Sequence, residues 1–326
     1  MGHILIVFSM VFLLVSCSGG ESDTGDVRNS LNNGNIRIIE NSQSPRAGSV
    51  RASRHGERVT LSVKQEIDAM AEFKASVEDK FKTRFKVIST KGFYIAYICS
   101  KRSINWLKMY LDEFYRQVYP KYFVKEVEKP WKIVYFANKK QFRAKTGSDA
   151  YGYYSPRDRT LYTYCNSGHG TLWHEMMHGF MDSNTDRDIH QWFSEGLASF
   201  YEMAFLVRGK VSEGWTNWRM PALKEAIKRG QFTHLKEFMM DEEMKESFGY
   251  AEARFLFCYL WMKNIIVPFV KGYVYELLPK YSGKKLGKET IKLLEGLAGK
   301  SIDKINEEYL YYAKRLKRDQ KLMRLR

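Results

Sequence analysis

The chain has 326 residues, of which 44% are hydrophobic and 15% aromatic, enough for a sizeable core and too much for wholesale disorder. Its 53 Lys and Arg against 37 Asp and Glu leave a formal charge of +16. Four cysteines are too few for a disulfide scaffold, so folding must rest on burial.

The first element is an address. Ile4 to Val15 (ILIVFSMVFLLV) is an apolar run of twelve residues. A bilayer span needs about 20 such residues, whereas a secretory core needs only about 7–15. The run ends in Leu14-Val15-Ser16-Cys17, which resembles the bacterial lipobox, although Met1-Gly2-His3 ahead of it lacks Lys and Arg. The resemblance implies a signal peptide over 1–16 and a lipid on Cys17, which becomes the mature N-terminus. Residues 17–56 are rich in Ser, Asn and Gly, with Ile36, Ile38 and Ile39 as the main apolar exceptions. Such a composition buries too little surface to offset its ordering entropy and is expected to be a flexible tether. The folded domain is expected over 57–326, anchored in a bacterial cell envelope and facing the periplasm or the surface.

Within it, Ile67, Met70, Phe73, Val77 and Phe81 recur at helical spacing. Arg84–Ser89 and Phe93–Cys99 read as strands joined at Gly92. A helix follows, with Ser103 as N-cap, an apolar face of Ile104, Leu107, Leu111, Phe114 and Val118, and a stop near Pro120. Trp131–Ala137 reads as a strand, and Gly152–Cys165 as a hairpin turning at SPRDR. After His169 nearly every segment has helical period, and no internal repeat is present. The expected fold class is α+β: a small mixed sheet to about residue 190, then a helical half.

The chemistry concentrates at His174-Glu175-Met176-Met177-His178. On a helix, residues four apart stack on one side, so His174 and His178 can offer imidazoles to one ion. Glu175 lies about 100° around the helix, placed to reach a water on that ion rather than to ligate it. With sixteen residues between, Glu195 follows His178 inside Trp192-Phe193-Ser194-Glu195-Gly196-Leu197-Ala198. A second helix returning after the polar stretch Ser183–Asp188 would bring Glu195 opposite the histidines. Two imidazoles, a carboxylate and an open fourth position describe a catalytic Zn2+ site, one ion per chain. His190 is a weaker third-ligand candidate, because it sits ahead of the helix, and His169 can touch the same cleft. A metzincin pattern requires a histidine at position 184, which is Asn. Trp173, Met176, Met177, Phe180 and Met181 around the motif read as core.

HEMMH followed by WFSEGLA resembles the gluzincin metallopeptidases, whose thermolysin-type third ligand is a glutamate on a later helix, and most closely their peptidase-MA-like branch. The resemblance implies a zincin-like fold, ligands His174, His178 and Glu195, and Glu175 as general base. Such enzymes use a Tyr or His as oxyanion donor, and Tyr250, opening the helix YAEARFLFCYLW, is the candidate. Gly152-Tyr153-Tyr154 and Thr160–Cys165 match the strands bordering the substrate cleft. Tyr250–Ala253 and Gly299–Ile302 resemble later helices of the family. One departure stands out: the acid expected four residues after the third ligand is Ser199, leaving Glu202 or Asp182 to orient a zinc histidine.

The function expected is a zinc-dependent peptidase acting on a peptide or protein substrate. The alternative is an inactive lipoprotein of the same fold that binds an envelope partner. Basic clusters at Arg46, Arg51, Arg54, Arg58 and Lys64, and at Lys314, Arg315, Lys317, Arg318, Lys321, Arg324 and Arg326, permit weak contact with anionic lipid or polymer. No interleaved aromatics or nucleic-acid motif accompany them, so solvated faces are expected and no specific nucleic-acid partner. With Cys17 lipidated, Cys99, Cys165 and Cys258 can form at most one disulfide, and three buried free thiols are expected.

Overall fold

Strand-forming sequence and strand order together set the scaffold for the site. The computed structural model describes residues 63–127, 129–244 and 248–324. The expected signal segment and tether, Cys17 and the basic residues Arg46 to Arg58 lie outside the described residues.

Helix α1 (Val63–Phe81) precedes the hairpin β1 (Lys86–Thr90) and β2 (Phe93–Tyr97), then α2 (Lys101–Tyr122), β3 (Trp131–Phe136) and α3 (Lys139–Thr146). The hairpin β4 (Gly152–Ser155) and β5 (Thr160–Tyr164) completes a five-stranded sheet of order β1-β2-β3-β5-β4. The central strands β2, β3 and β5 run parallel, and each outer strand pairs antiparallel with its neighbour. Gly92 makes the β1–β2 turn at φ +92°, a conformation open to glycine.

Central strands in such a sheet must be apolar on both faces, and these are. Phe93, Ile95, Trp131, Ile133 and Leu161 face one core, which α2 shares; Tyr94, Ala96, Val134, Phe136 and Tyr162 face another with Phe73, Val77 and Phe81 of α1 and Phe142 of α3. The α1 stripe is used from Met70 onward, and only its start is left out, since Ile67 is 59% exposed.

Helix α2 differs from its expected ends. Ser100, not Ser103, is the N-cap, its Oγ accepting from Ser103 N–H at 3.2 Å. The helix runs past Pro120 to Tyr122, because Tyr119 and Tyr122 are buried and a proline this near the end forfeits a single backbone bond.

The second half comprises α4 (His169–Asp182), α5 (Gln191–Phe200), a 3-10 turn (Tyr201–Met203), α6 (Met220–Lys228), α7 (Leu235–Met240), α8 (Gly249–Met262), α9 (Ile266–Lys271), a π-turn (Gly272–Leu277), α10 (Gly283–Ala298) and α11 (Ile302–Arg315). It is not wholly helical: Phe205–Val207 (β6) and Lys210–Ser212 (β7) form a two-stranded hairpin. The fold is therefore α+β, with a small mixed sheet. No helix among the described residues is long and apolar enough to cross a membrane.

The expectation of three free thiols is overturned: Cys99 and Cys165 are disulfide-bonded, with Cα atoms 6.4 Å apart, and among the described residues Cys258 remains as a buried thiol. The cause is strand order. Parallel β2 and β5 flank β3, so the residues that follow them emerge together beside its end, where Ile98 N–H bonds Tyr135 O and Cys165 N–H bonds Phe136 O.

The described members of the C-terminal basic run are exposed, as a solvated face requires, and two of them lie over tryptophan rings. Arg324 lies 5.0 Å from the Trp261 ring, Lys321 lies 5.1 Å from Trp215, and Thr216 Oγ1 donates to Lys317 O.

Candidate metal centre

Helix α4 begins under steric compulsion. Gly168 takes φ +93° at its N-cap, and a Cβ on Gly170 would overlap the backbone carbonyl of Glu202. The close approach seats the first turn of α4 against the 3-10 turn. His174 and His178 then fall one turn apart on the side facing α5, which carries Glu195.

The three side chains converge as the motif spacing predicts. His174 Nε2 and His178 Nε2 are 3.2 Å apart, Glu195 Oε2 is 3.4 Å from the first, and Glu195 Oε1 is 3.6 Å from the second. Tetrahedral coordination at about 2.0–2.1 Å requires donor separations of roughly 3.3–3.4 Å. The spacing therefore fits a small divalent ion, and His174, His178 and Glu195 form a group that can hold one. Glu195 Oε2 is buried without a hydrogen-bond partner, as expected of a ligand atom.

Electrostatics point the same way. Glu175, Glu195 and Glu202 place three carboxylates around His174, and the Arg219 guanidinium pairs with Glu202. Burial opposes a charge on His174, but Glu195 and Glu202 outweigh it and raise its pKa to about 10. Burial takes His178 down to about 4, against the pull of Glu195. Glu195 is lowered although burial raises it, because the two histidines and Arg219 prevail. A cage of this sign favours a positive occupant.

No protein-family model matches the sequence, and no curated protein matches it. The site therefore stands on its own geometry.

Each imidazole is oriented from behind. His174 Nδ1 lies 3.2 Å from Glu202 Oε1, an atom that can only accept, which favours a proton on Nδ1 and a free lone pair on Nε2. Between the two acids left open by Ser199, it is Glu202 that reaches a histidine; Asp182 accepts from the Tyr154 hydroxyl at 2.8 Å. Ser199 is buried and bonds Gly196 O. Glu202 is in turn held by Arg219, with Nη2 at 2.6 Å and Nε at 2.9 Å, and by Asn217 Nδ2 at 2.9 Å. That fork keeps Glu202 well below the usual carboxylate range despite its burial. Behind His178, Ser194 Oγ sits 3.0 Å from Nδ1.

Glu175 takes a different neighbour. Its Oε2 accepts from Tyr154 N–H of the edge strand β4 at 2.8 Å, and burial raises its pKa to about 7, partly offset by His174. Tyr250, on the first turn of α8, accepts from Gln191 Nε2 at 3.4 Å, and its ring lies 5.5 Å from the Arg219 guanidinium. Burial and the Glu195 charge raise its pKa to about 12.

His190 is the N-cap residue of α5, buried and outside the cluster, and His169 Nε2 bonds Ala204 O at 2.9 Å. The connection from α4 to α5 is fixed by buried polar bonds. Asn184 donates to Phe180 O and Tyr119 Oη and accepts from Tyr275 Oη at 2.6 Å; His190 N–H donates to Tyr273 Oη at 3.1 Å. Both tyrosines come from the π-turn, a type of irregularity frequent near functional sites.

Proposed function

We propose that this chain is a zinc-dependent peptidase of gluzincin type with a zincin-like core, held at a bacterial envelope by a lipid on Cys17. The observation that carries the reading is the convergence of His174, His178 and Glu195 at tetrahedral spacing beside the acid Glu175. The anchor rests on the sequence 4–17 alone.

His174, His178 and Glu195 would hold the ion, one per chain. When bound, a zinc ion supplies Lewis acidity, polarising a carbonyl oxygen and making a water acidic enough to attack near neutral pH. Glu175 is the proton carrier. With Oε2 committed to Tyr154 N–H, Oε1 is the free basic atom, and a pKa near 7 suits it to accept the water proton and pass it to the departing amine. The same Tyr154 contact puts the open edge of β4 alongside the base, where an extended peptide can add as a further strand. Tyr250 is the proposed donor to the developing oxyanion, its hydroxyl kept protonated by burial and by Glu195.

The test uses the full chain. About one zinc per chain is expected, with hydrolysis of an unfolded protein substrate that a chelator abolishes. Glu175→Gln should retain the metal and lose hydrolysis. Zinc retained by a wild type without turnover would make this a metal-containing binding protein, and failure to retain zinc would remove the site.

A further inference from the structure

A cavity lies at the other edge of the sheet, lined by none of the residues of the candidate metal centre. We infer that the cavity between β1 and the first two turns of α2 binds a small amphiphilic anion, a carboxylate or phosphate head on a short apolar body. The cavity has a volume of about 260 Å³. That is the share of roughly eight or nine liquid waters, enough for a ligand of about ten non-hydrogen atoms.

Its composition decides the chemistry. Lys86, Lys101 and Lys108 line it, no Asp or Glu does, and none of the three lysines makes an ion pair among the described residues. The grouping is built by the fold. Lys101, Ile104 and Lys108 repeat at i, i+3 and i+7 on one face of α2, while Lys86 and Ile88 share one face of β1, with Tyr97 opposite Lys86. Three lysines thus line one cavity together with Ile88, Ile104, Tyr97 and Cys99. The amino-terminal end of the 22-residue α2 opens at the same place, adding the positive end of its dipole, and the Asn105 side chain supplies a neutral polar group. Like charges brought together without counter-charge call for an anion, and the apolar lining calls for an apolar body attached to it.

Octanoate and octyl phosphate serve as probes, with octylammonium as the charge-reversed control and 1-octanol and inorganic phosphate as the apolar and ionic halves tested apart. Calorimetric titration of the full chain is made at about 150 mM salt, where charges more than roughly 8 Å apart are screened. Both amphiphilic anions should saturate one site per chain, with Kd below about 1 mM, and each half alone should bind at least tenfold more weakly. The double variant Lys101→Glu/Lys108→Glu should weaken octanoate at least tenfold, whereas Lys284→Glu/Lys288→Glu on exposed α10 should leave it within about twofold. Equal loss in the two double variants would reduce the effect to diffuse surface charge and overturn the proposal. So would absence of saturation, or equal binding of octylammonium.

Discussion

Glu202 Oε1 lies 3.2 Å from His174 Nδ1, and the same carboxylate is gripped by two nitrogens of Arg219. A ligand's orientation is thereby tied to a residue from the segment beyond β7. Glu202→Gln should lower zinc affinity by about 10–100-fold with little change in fold, read by competition with a chromophoric chelator. Arg219→Lys should weaken it less, since one ammonium cannot reproduce the fork. Affinity within twofold of wild type in both variants would leave Glu202 without a supporting role.

Three glycine substitutions should differ in sign. On Gly196 a Cβ would stand 2.5 Å from Phe257 Cδ2 and 3.0 Å from Ala253 O, where α5 leans on α8. Gly196→Ala should cost about 1–3 kcal/mol by thermal unfolding, through overpacking. Gly170→Ala meets backbone rather than side chain and should also impair metal retention, because the residue it displaces is Glu202. Gly296, inside α10, has nothing within 4 Å of an added Cβ, so Gly296→Ala should stabilise by about 0.5–1 kcal/mol.

Removal of the disulfide should be costly. The bridge closes a sequence separation of 66 residues, for which chain entropy alone gives about 4 kcal/mol. The pair Cys99→Ser/Cys165→Ser should lose about 2–4 kcal/mol in denaturant unfolding. An unchanged midpoint would mean that the sheet alone fixes those two ends.

Acid sensitivity has an identifiable contributor. Glu308 is bonded by Lys300, by Lys263 at 2.7 Å and by Tyr259 Oη at 3.1 Å; burial opposes its charge, but these partners take its pKa down to about 2. A depressed folded-state value means the stabilisation is complete above the unfolded pKa of about 4.5 and is lost as pH falls toward 2. After allowance for solvent screening it amounts to about 1–2 kcal/mol. Glu308→Gln should therefore be less stable than wild type at pH 7, with the gap closing near pH 2 as followed by circular dichroism.

The group that could hold an ion, His174, His178 and Glu195, was legible in the sequence, because i and i+4 on a helix and a third acid on the next helix are local rules. What lay behind the ligands was less so. Glu202 was one of two acids in range, and choosing it over Asp182 required knowing that Gly170 docks against the 3-10 turn. Arg219, Asn217 and Ser194 carry no local signal beyond polarity, and Ser194 stands out only as the neighbour of Glu195. The mixed sheet followed from apolar runs and turn residues. Its strand order did not, and without that order Cys99 and Cys165 could not be matched. The hairpin Phe205–Ser212 was missed because strands of three residues are too short to show alternation.

The π-turn at Gly272–Leu277 has a consequence for how the chain tolerates length change. A π-turn amounts to one residue inserted into an α-helix, so deleting one there would restore regular winding. The shortened helix would be unstrained, yet residues beyond the cut would swing by about 100° relative to those before it. Tyr275 would then part from Asn184 while Tyr273 stayed near His190, and the link between α4 and α5 would slacken at one end. A single-codon gap at this spot in a diverged copy would mark a loosened candidate metal centre rather than neutral drift.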